Sequence, residues 1–365
     1  MSLRGFLVLL TITAIAVAAA VFVIGARDTA LGGASRALMF PGLMARLEEV
    51  ATIKVTRAGG EATIERKERA WVVKEASSYP ADMEKVREVL IGLAQLETME
   101  PKTRRADRYA KLEVEDATGK DAKSARVTLT DATGGTLADV IVGKAKFSLE
   151  GIDSLYVRRP GADRAWLALG RVEPARGRLG WVDPSFLSID RERIRKATLR
   201  PSGPAPLVVF KSKAGDEDFK LAGMPPGTEL KDEFGVSDIA RVLQGLIFDD
   251  VRPAAEVPVD QSGEPYGVYE TFDGLIFDLW LKEADGKTWL AGHAKAGTDP
   301  APSEEVKKEI EAINTRLGTW RYALAEYELK NLKKTMADLV TKKEEKKEED
   351  TKEGETEAPA GEPAK

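Results

Sequence analysis

The chain has 365 residues, of which 43% are hydrophobic and 32% are charged, and its formal net charge at pH 7 is −5. It contains no cysteine and one histidine, His293. These counts exclude disulfides, thiolate zinc sites and zinc sites built from two imidazoles. Because positive and negative side chains are interspersed, the composition also lacks the basic stripe of a nucleic-acid-binding protein, and no nucleic-acid partner is expected.

An apolar segment at residues 5–25 carries no charged side chain and has the length of about 20 residues that a membrane-spanning helix needs. Arg4 precedes it, whereas Arg27 and Asp28 cancel after it. The positive-inside rule then predicts a single-pass anchor, residues 1–25, in the inner (cytoplasmic) membrane, with a cytoplasmic N-terminus and the bulk of the chain periplasmic or extracytoplasmic. A signal peptide cleaved near residues 18–20 is the alternative, and it exports the same residues.

A tether of residues 26–50 leads from the predicted anchor to the first of two predicted α+β units, residues 51–190. This unit begins with short strands in which apolar and polar side chains alternate, as in residues 53–57. Asp82 is expected to cap the helix that follows. The helix has one apolar stripe at spacings of three and four, formed by Met83, Val86, Leu90, Leu93 and Leu96.

The second predicted unit, residues 191–300, repeats the order of strands, helix and hairpin, with Ser237 as the expected helix cap. The sequence therefore predicts an α+β fold in which a unit of antiparallel sheet plus helix is duplicated, and chance similarity of short apolar runs is the alternative. Residues 301–340 are predicted to form a helix, a strand and a helix that close the domain. Residues 341–365 are predicted to be a disordered charged tail, because they hold no apolar side chain larger than alanine.

Two short segments resemble the end of a phosphate-binding loop, at residues 142–144 and 285–288. Such a loop needs an earlier glycine so that its backbone amides converge on phosphate, but Ala138 and Leu281 stand at those positions. Both segments also lie in predicted hairpins. We therefore interpret their glycines as turn residues.

Pairs of neighbouring acids are candidates for binding a hard cation or for acid–base chemistry. They are Glu113, Glu115 and Asp116, and the pair Asp249 and Asp250. Among 60 acidic residues such pairs are expected by chance, so solvated surface carboxylates are the preferred interpretation. No metal site is assigned to them.

His293 follows a predicted strand, and without a defined nucleophile and orienting acid it is expected to be an exposed or a hairpin-end residue and not a general base. The tryptophans are expected to pack on sheet faces, and an aromatic platform for a sugar or peptide is the functional alternative. Trp181 stands apart, because it lies after the predicted strands of the first unit, near the boundary between the two halves. No catalytic, cofactor-binding or metal-binding residue is assigned, and no cofactor is expected.

The order of the landmarks in the chain, from about residue 51 to 340, resembles a bacterial family named for its domain of unknown function, DUF4340. The landmarks are Ile53-Lys54-Val55, Trp71-Val72-Val73, Tyr79-Pro80-Ala81-Asp82 before the helix of residues 86–96, Val140-Ile141-Val142-Gly143-Lys144, Leu155-Tyr156-Val157-Arg158, Trp181-Val182-Asp183, Ile189-Asp190 with Ile194, and Trp320-Arg321-Tyr322-Ala323-Leu324. Members of the family are typically single-span envelope proteins, and their genes often neighbour those of gliding-motility-type ABC transporters. The resemblance brings no established catalytic residues.

The resemblance implies an accessory role beside such a transporter. We therefore expect a non-enzymatic accessory or scaffold protein that contacts the lipid bilayer through residues 5–25 and has ABC transporter subunits as partners. Two alternatives stay open: a carboxylate-based enzyme or ligand-binding module that acts on envelope polymers, and a purely structural spacer.

Overall fold

The computed structural model describes residues 36–146, 153–201 and 205–343. The predicted anchor at residues 1–25, the first part of the predicted tether and residues 344–365 of the predicted tail lie outside these ranges. Among the residues that are described, no helix is both long enough and apolar enough to cross a bilayer.

The described chain contains short strands and a few helices. The strands are β1 (Ala37–Leu38), β2 (Val50–Arg57), β3 (Gly60–Lys67), β4 (Ala70–Val73), β5 (Tyr79–Pro80), β6 (Glu97–Pro101), β7 (Ala125–Asp131), β8 (Thr136–Lys146), β9 (Ser154–Arg158), β10 (Ala165–Leu169), β11 (Ser185–Leu187), β12 (Ile194–Leu199), β13 (Leu207–Phe210), β14 (Lys220–Leu221), β15 (Thr228–Leu230), β16 (Leu246–Pro253), β17 (Gly267–Thr271), β18 (Leu275–Ala284), β19 (Lys287–Ala296), β20 (Trp320–Leu324) and β21 (Val340–Lys342). The α-helices are α1 (Met83–Ala94), α2 (Tyr109–Leu112), α3 (Glu233–Arg241), α4 (Glu304–Thr319), α5 (Glu326–Leu332) and α6 (Met336–Leu339). The predicted α+β class, with antiparallel sheets, is confirmed.

The chain divides into two compact units. Of the described residues, the first unit contains those up to 186 together with 248–257 and 320–323. The second unit contains the described residues of 187–247, 258–319 and 324–343.

The first unit is built on a ten-stranded antiparallel sheet in the order β1-β6-β10-β9-β8-β7-β2-β3-β4-β5. Its central hairpin aligns Ile53 with Ile64, and both side chains are fully buried. Burial of alternate residues on one face fixes this register, because a slip of β3 by one residue would move Ile64 to the opposite face. Three further strands are neighbours in the order β11-β16-β20. Most of their residues also belong to the first unit.

Helix α1 begins where the sequence predicts. The Asp82 carboxylate accepts a hydrogen bond from the Glu84 backbone N–H at 2.9 Å, which satisfies one of the free amides of the first turn. Most of the predicted apolar stripe is buried, but Met83 is 47% exposed and does not belong to it. The physical reason is its position in the first turn, where a helix end projects beyond the surface that it covers.

The second unit has six antiparallel strands that are neighbours in the order β19-β18-β17-β12-β13-β14. Helix α4 packs on β19, and its Asn314 side chain bonds both the N–H and the C=O of Ala294, each at 2.8 Å. Helix α3 begins at Asp232, whose carboxylate accepts the Phe234 N–H at 2.7 Å. The predicted cap at Ser237 is wrong: Ser237 is buried inside α3, because Asp232 already caps an earlier turn.

The segment after α4 contains β20, α5 and α6, and β21 then pairs with β15 in a separate two-stranded sheet. Residues 341 and 342, the first of the predicted charged tail, are therefore part of a strand.

Glu328 on α5 is a buried acid of the second unit, 8% exposed. Burial raises its pKa, although hydrogen bonds from the Tyr327 hydroxyl and the Ile247 backbone oppose the shift. A raised pKa in the folded state means that ionisation of Glu328 lowers stability at neutral pH. This cost disappears as the pH falls through the raised pKa toward the ordinary value of 4.5.

We therefore expect Glu328→Gln to raise the melting temperature at about pH 8 and to change it little at about pH 4. Thermal unfolding of the full chain, followed by circular dichroism at both pH values, measures this difference. A lower melting temperature of the variant at the higher pH would contradict the assignment.

Candidate functional site

Two adjoining cavities on the first unit, of about 400 and 750 Å³, share five lining residues: Arg57, Glu113, Lys123, Ala175 and Arg176. We call this surface the Arg57 groove. Its volume is that of a small-molecule site, and the shared side chains are mainly cationic.

The sheet and its connections bring these residues together. Arg57 is the last residue of β2 and pairs with Gly60 at the turn into β3. Lys123 lies two residues before β7, a neighbour of β2 in the sheet. Glu113 ends α2 in the left-handed conformation, with φ 56°. Arg176 belongs to the irregular connection after β10.

Arg57 is fixed by one hydrogen bond, in which its Nη2 donates to the Pro174 carbonyl at 2.8 Å. Its Nε is buried and has no hydrogen-bond partner within the described residues. Burial lowers the pKa of Arg57, and the positive charge of Arg176 lowers it further. The guanidinium nevertheless stays protonated at neutral pH, so two like charges face the same space.

Most of the other charged groups that line the cavities are already engaged. Glu61 pairs with Lys54 at 2.8 Å, and Glu173 pairs with Arg171 at 3.1 Å. Glu75 accepts the Thr63 backbone N–H at 2.8 Å. The groove therefore keeps positive charge that these carboxylates do not neutralise.

The three shared cations themselves are not paired with acids in the part of the chain that the structure describes: Arg57, Lys123 and Arg176 form no ion pair there. Glu113 is the carboxylate shared by both cavities. Asp153 also lines the smaller cavity. Three cations beside these two carboxylates can still hold an anionic group.

One wall of the groove depends on Gly143 in β8. A Cβ atom at this position would lie 2.4 Å from the Leu112 carbonyl oxygen and 2.6 Å from the Glu113 carbonyl oxygen. The missing side chain therefore lets the end of α2 pack directly on the strand. The prediction of a turn glycine is wrong for Gly143 and holds for Gly286, which lies at the β18–β19 turn with φ 71°.

We expect Gly143→Ala to lower the free energy of unfolding by about 2 kcal/mol, because backbone oxygens cannot move aside as a flexible side chain would. Gly59→Ala is the matched control, since a Cβ there meets nothing within 4 Å. Guanidinium denaturation of both variants measures the effect. Equal stability of the two variants would show that the contact with α2 is not as close as described.

The neighbouring acids that the sequence singled out have separate roles. Glu113 lines the groove, Glu115 accepts the Lys123 backbone N–H at 2.6 Å, and Asp116 pairs with Arg158 at 2.6 Å. Asp249 is exposed, as expected. Asp250 is buried and pairs with Arg178, so the interpretation as a solvated surface acid is wrong for this residue.

Asp250 is buried because the Arg178 guanidinium and the Val251 N–H satisfy its carboxylate in the interior. Within the described ranges, no group of three or more histidine, aspartate or glutamate side chains is arranged to hold a metal ion.

The other residues that the sequence analysis considered, His293 and the tryptophans, do not line the Arg57 groove. His293 is exposed on β19 opposite Asp278. Trp181 and Trp289 are fully buried, and Trp71 is 5% exposed, so these rings pack in the interior as expected. At Trp181 the alternative of a ligand platform is wrong, because the ring is inaccessible.

Sequence reasoning did not single out Arg57, Lys123 or Arg176. They are three of 55 basic residues, and none stands in a motif. A weak signal is the position of Arg57 immediately before the turn glycines of a hairpin, where a long side chain can extend along the sheet edge.

Comparison with known proteins gives one match. Residues 71–268 match a family model described as a domain of unknown function, DUF4340. No curated protein and no solved structure shows significant similarity. Of the groove residues, Glu113, Lys123 and Arg176 fall inside the matched range, and Arg57 precedes it.

Proposed function

Because this chain belongs to the DUF4340 family, whose model covers more than half of it, we propose that it is a membrane-tethered, non-enzymatic accessory or scaffold protein of an ABC-type transporter system. Residues 5–25 would hold the chain in the inner membrane, and the two α+β units would work on its periplasmic side. The transporter association rests on the family resemblance of the sequence landmarks.

The accessory protein is also proposed to bind a ligand, and the side chains of the Arg57 groove are the observation that supports this. Its shared cations have no acidic partners among the described residues, which suits the recognition of an anionic group. Chemistry by carboxylates alone requires two acids that face one cleft at a defined separation. Of the acids that line this groove, Glu61 and Glu173 are paired with cations and Glu75 is bound to a backbone amide. Glu113 and Asp153 are left, and Glu113 alone of these two lines both cavities.

We also propose that the two units arose by duplication of one ancestral unit. The neighbour order β8-β7-β2-β3-β4 of the first unit corresponds to β18-β17-β12-β13-β14 of the second. In both units, one short strand and then a helix follow the last strand of this order: β5 and α1 follow β4, and β15 and α3 follow β14. The shared order supports a repeated unit, and it agrees with the repeat in the sequence.

Affinity purification of the tagged full chain from native membranes, followed by quantitative mass spectrometry, tests the transporter association. The expected result is reproducible enrichment of the membrane-spanning and ATP-binding subunits of one transporter over a tagged single-span control protein. Repeated purifications that enrich no transporter subunit, from chemically cross-linked as well as untreated membranes, would refute the association.

A further inference from the structure

We propose that the Arg57 groove binds a phosphate group, carried either by a soluble ester or by a lipid head group. The inference goes beyond the transporter association and does not depend on it, because it rests only on residues of the first unit.

The charge of the groove points to an oxyanion. Arg57 and Arg176 are close enough for the charge of one to act on the other, and both line the same two cavities. Two guanidiniums repel each other in a partly desolvated space unless an anion lies between them. Among the described residues no carboxylate pairs with either arginine or with Lys123.

The donors favour phosphate over a lone carboxylate. A carboxylate carries one charge and is satisfied by one guanidinium, whereas a phosphate monoester carries close to two charges and three acceptor oxygens. The groove supplies two guanidiniums and one ammonium group.

The shape of the groove indicates a ligand larger than the phosphate itself. Cavities of about 400 and 750 Å³ that share five residues leave space beyond the cation cluster. Glu113 is the acid common to both cavities and accepts no hydrogen bond from the described residues. It is therefore suited to accept a hydrogen bond from a hydroxyl group next to the phosphate.

Isothermal titration calorimetry of the full chain in an uncharged detergent tests the site, with glycerol 3-phosphate and inorganic pyrophosphate as soluble probes. Titration with short-chain phosphatidic acid, a lipid phosphate monoester, against short-chain phosphatidylcholine in the same detergent is the lipid arm, because the proposed anchor would carry the full chain into any vesicle. Arg176→Gln is the informative variant, because Arg176 is exposed and its loss leaves the Arg57–Pro174 hydrogen bond intact. Arg69→Gln is the matched control, on the turn at the other end of β3, about 20 Å away by strand rise.

We expect Arg176→Gln to weaken binding about tenfold or more, as loss of a charge-assisted hydrogen bond does, and Arg69→Gln to leave it unchanged. Binding of the soluble probes identifies a soluble phosphate compound, and binding of phosphatidic acid without binding of the soluble probes identifies a lipid head group. Either result supports the phosphate site. The proposal is overturned if neither arm shows binding, or if Arg69→Gln weakens binding as much as Arg176→Gln.

Discussion

Truncation of Tyr322 to alanine is expected to lower the free energy of unfolding of the first unit by about 3–5 kcal/mol. Tyr322 is fully buried, and its ring stacks on Phe186 with centroids 4.1 Å apart and planes 12° from parallel. It also lies near Phe248, with centroids 5.3 Å apart, and its hydroxyl oxygen is 3.5 Å from that of Tyr79. The alanine variant would lose the contacts of one ring with three others and leave a cavity that such a packed cluster cannot fill.

Guanidinium denaturation of the full chain, followed by aromatic circular dichroism, measures this loss. Tyr322→Phe keeps the ring and should cost less than about 1 kcal/mol, since only the hydroxyl is lost. Phe234→Ala is a second control, because Phe234 is 76% exposed and its truncation should change stability by less than about 0.5 kcal/mol. If Tyr322→Ala were as mild as these controls, the cluster would not be a packed core of the first unit.

Replacement of Arg158 by methionine is expected to cost about 2–3 kcal/mol, mainly through an unsatisfied carbonyl. The Arg158 side chain is 5% exposed, and its Nε donates to the Val114 carbonyl at 2.8 Å. Its Nη1 donates to the Ala162 carbonyl at 3.0 Å, and its guanidinium lies 4.5 Å from the ring centroid of Tyr109. Methionine keeps most of the apolar stem but leaves the Val114 carbonyl without its partner.

The ion pair of Arg158 with Asp116 contributes little to this cost, because the Asp116 side chain is 78% exposed and its charge is screened by water. Arg105→Met provides the control, since Arg105 and Asp107 form an ion pair with side chains 65% and 60% exposed. That variant should change the midpoint of chemical denaturation only slightly. A similarly small change for Arg158→Met would mean that water reaches the Val114 carbonyl in the folded chain.

Local features of the fold are predictable from the sequence because their causes are local. Asp82 caps α1 through an amide two residues away, and the β2–β3 hairpin follows from alternating side chains and the turn glycine Gly60. The wrong prediction of Ser237 as the cap of α3 also concerns residues that are close together in the sequence. Both Asp232 and Ser237 are good caps, and only the packing of α3 decides between them.

The groove was not predictable because it depends on contacts between distant segments. Arg57 reaches the carbonyl of Pro174 across 117 residues of sequence, and this contact places Arg176 beside it. The close packing of Gly143 against the end of α2 likewise joins two elements that no periodicity connects. A single charged residue in a strand looks the same in a sequence whether it faces solvent or lines a site.

The most direct test of the tethered accessory role exchanges residues 1–25 for a cleavable signal peptide and measures the transporter subunits that co-purify with the chain. We expect the exchanged chain to be exported, to leave the membrane fraction and to melt at the same temperature as the native chain, but to lose most of the co-purifying subunits. An exchanged chain that is soluble, folded and still brings down as many transporter subunits as the native chain would contradict a role that depends on the tether.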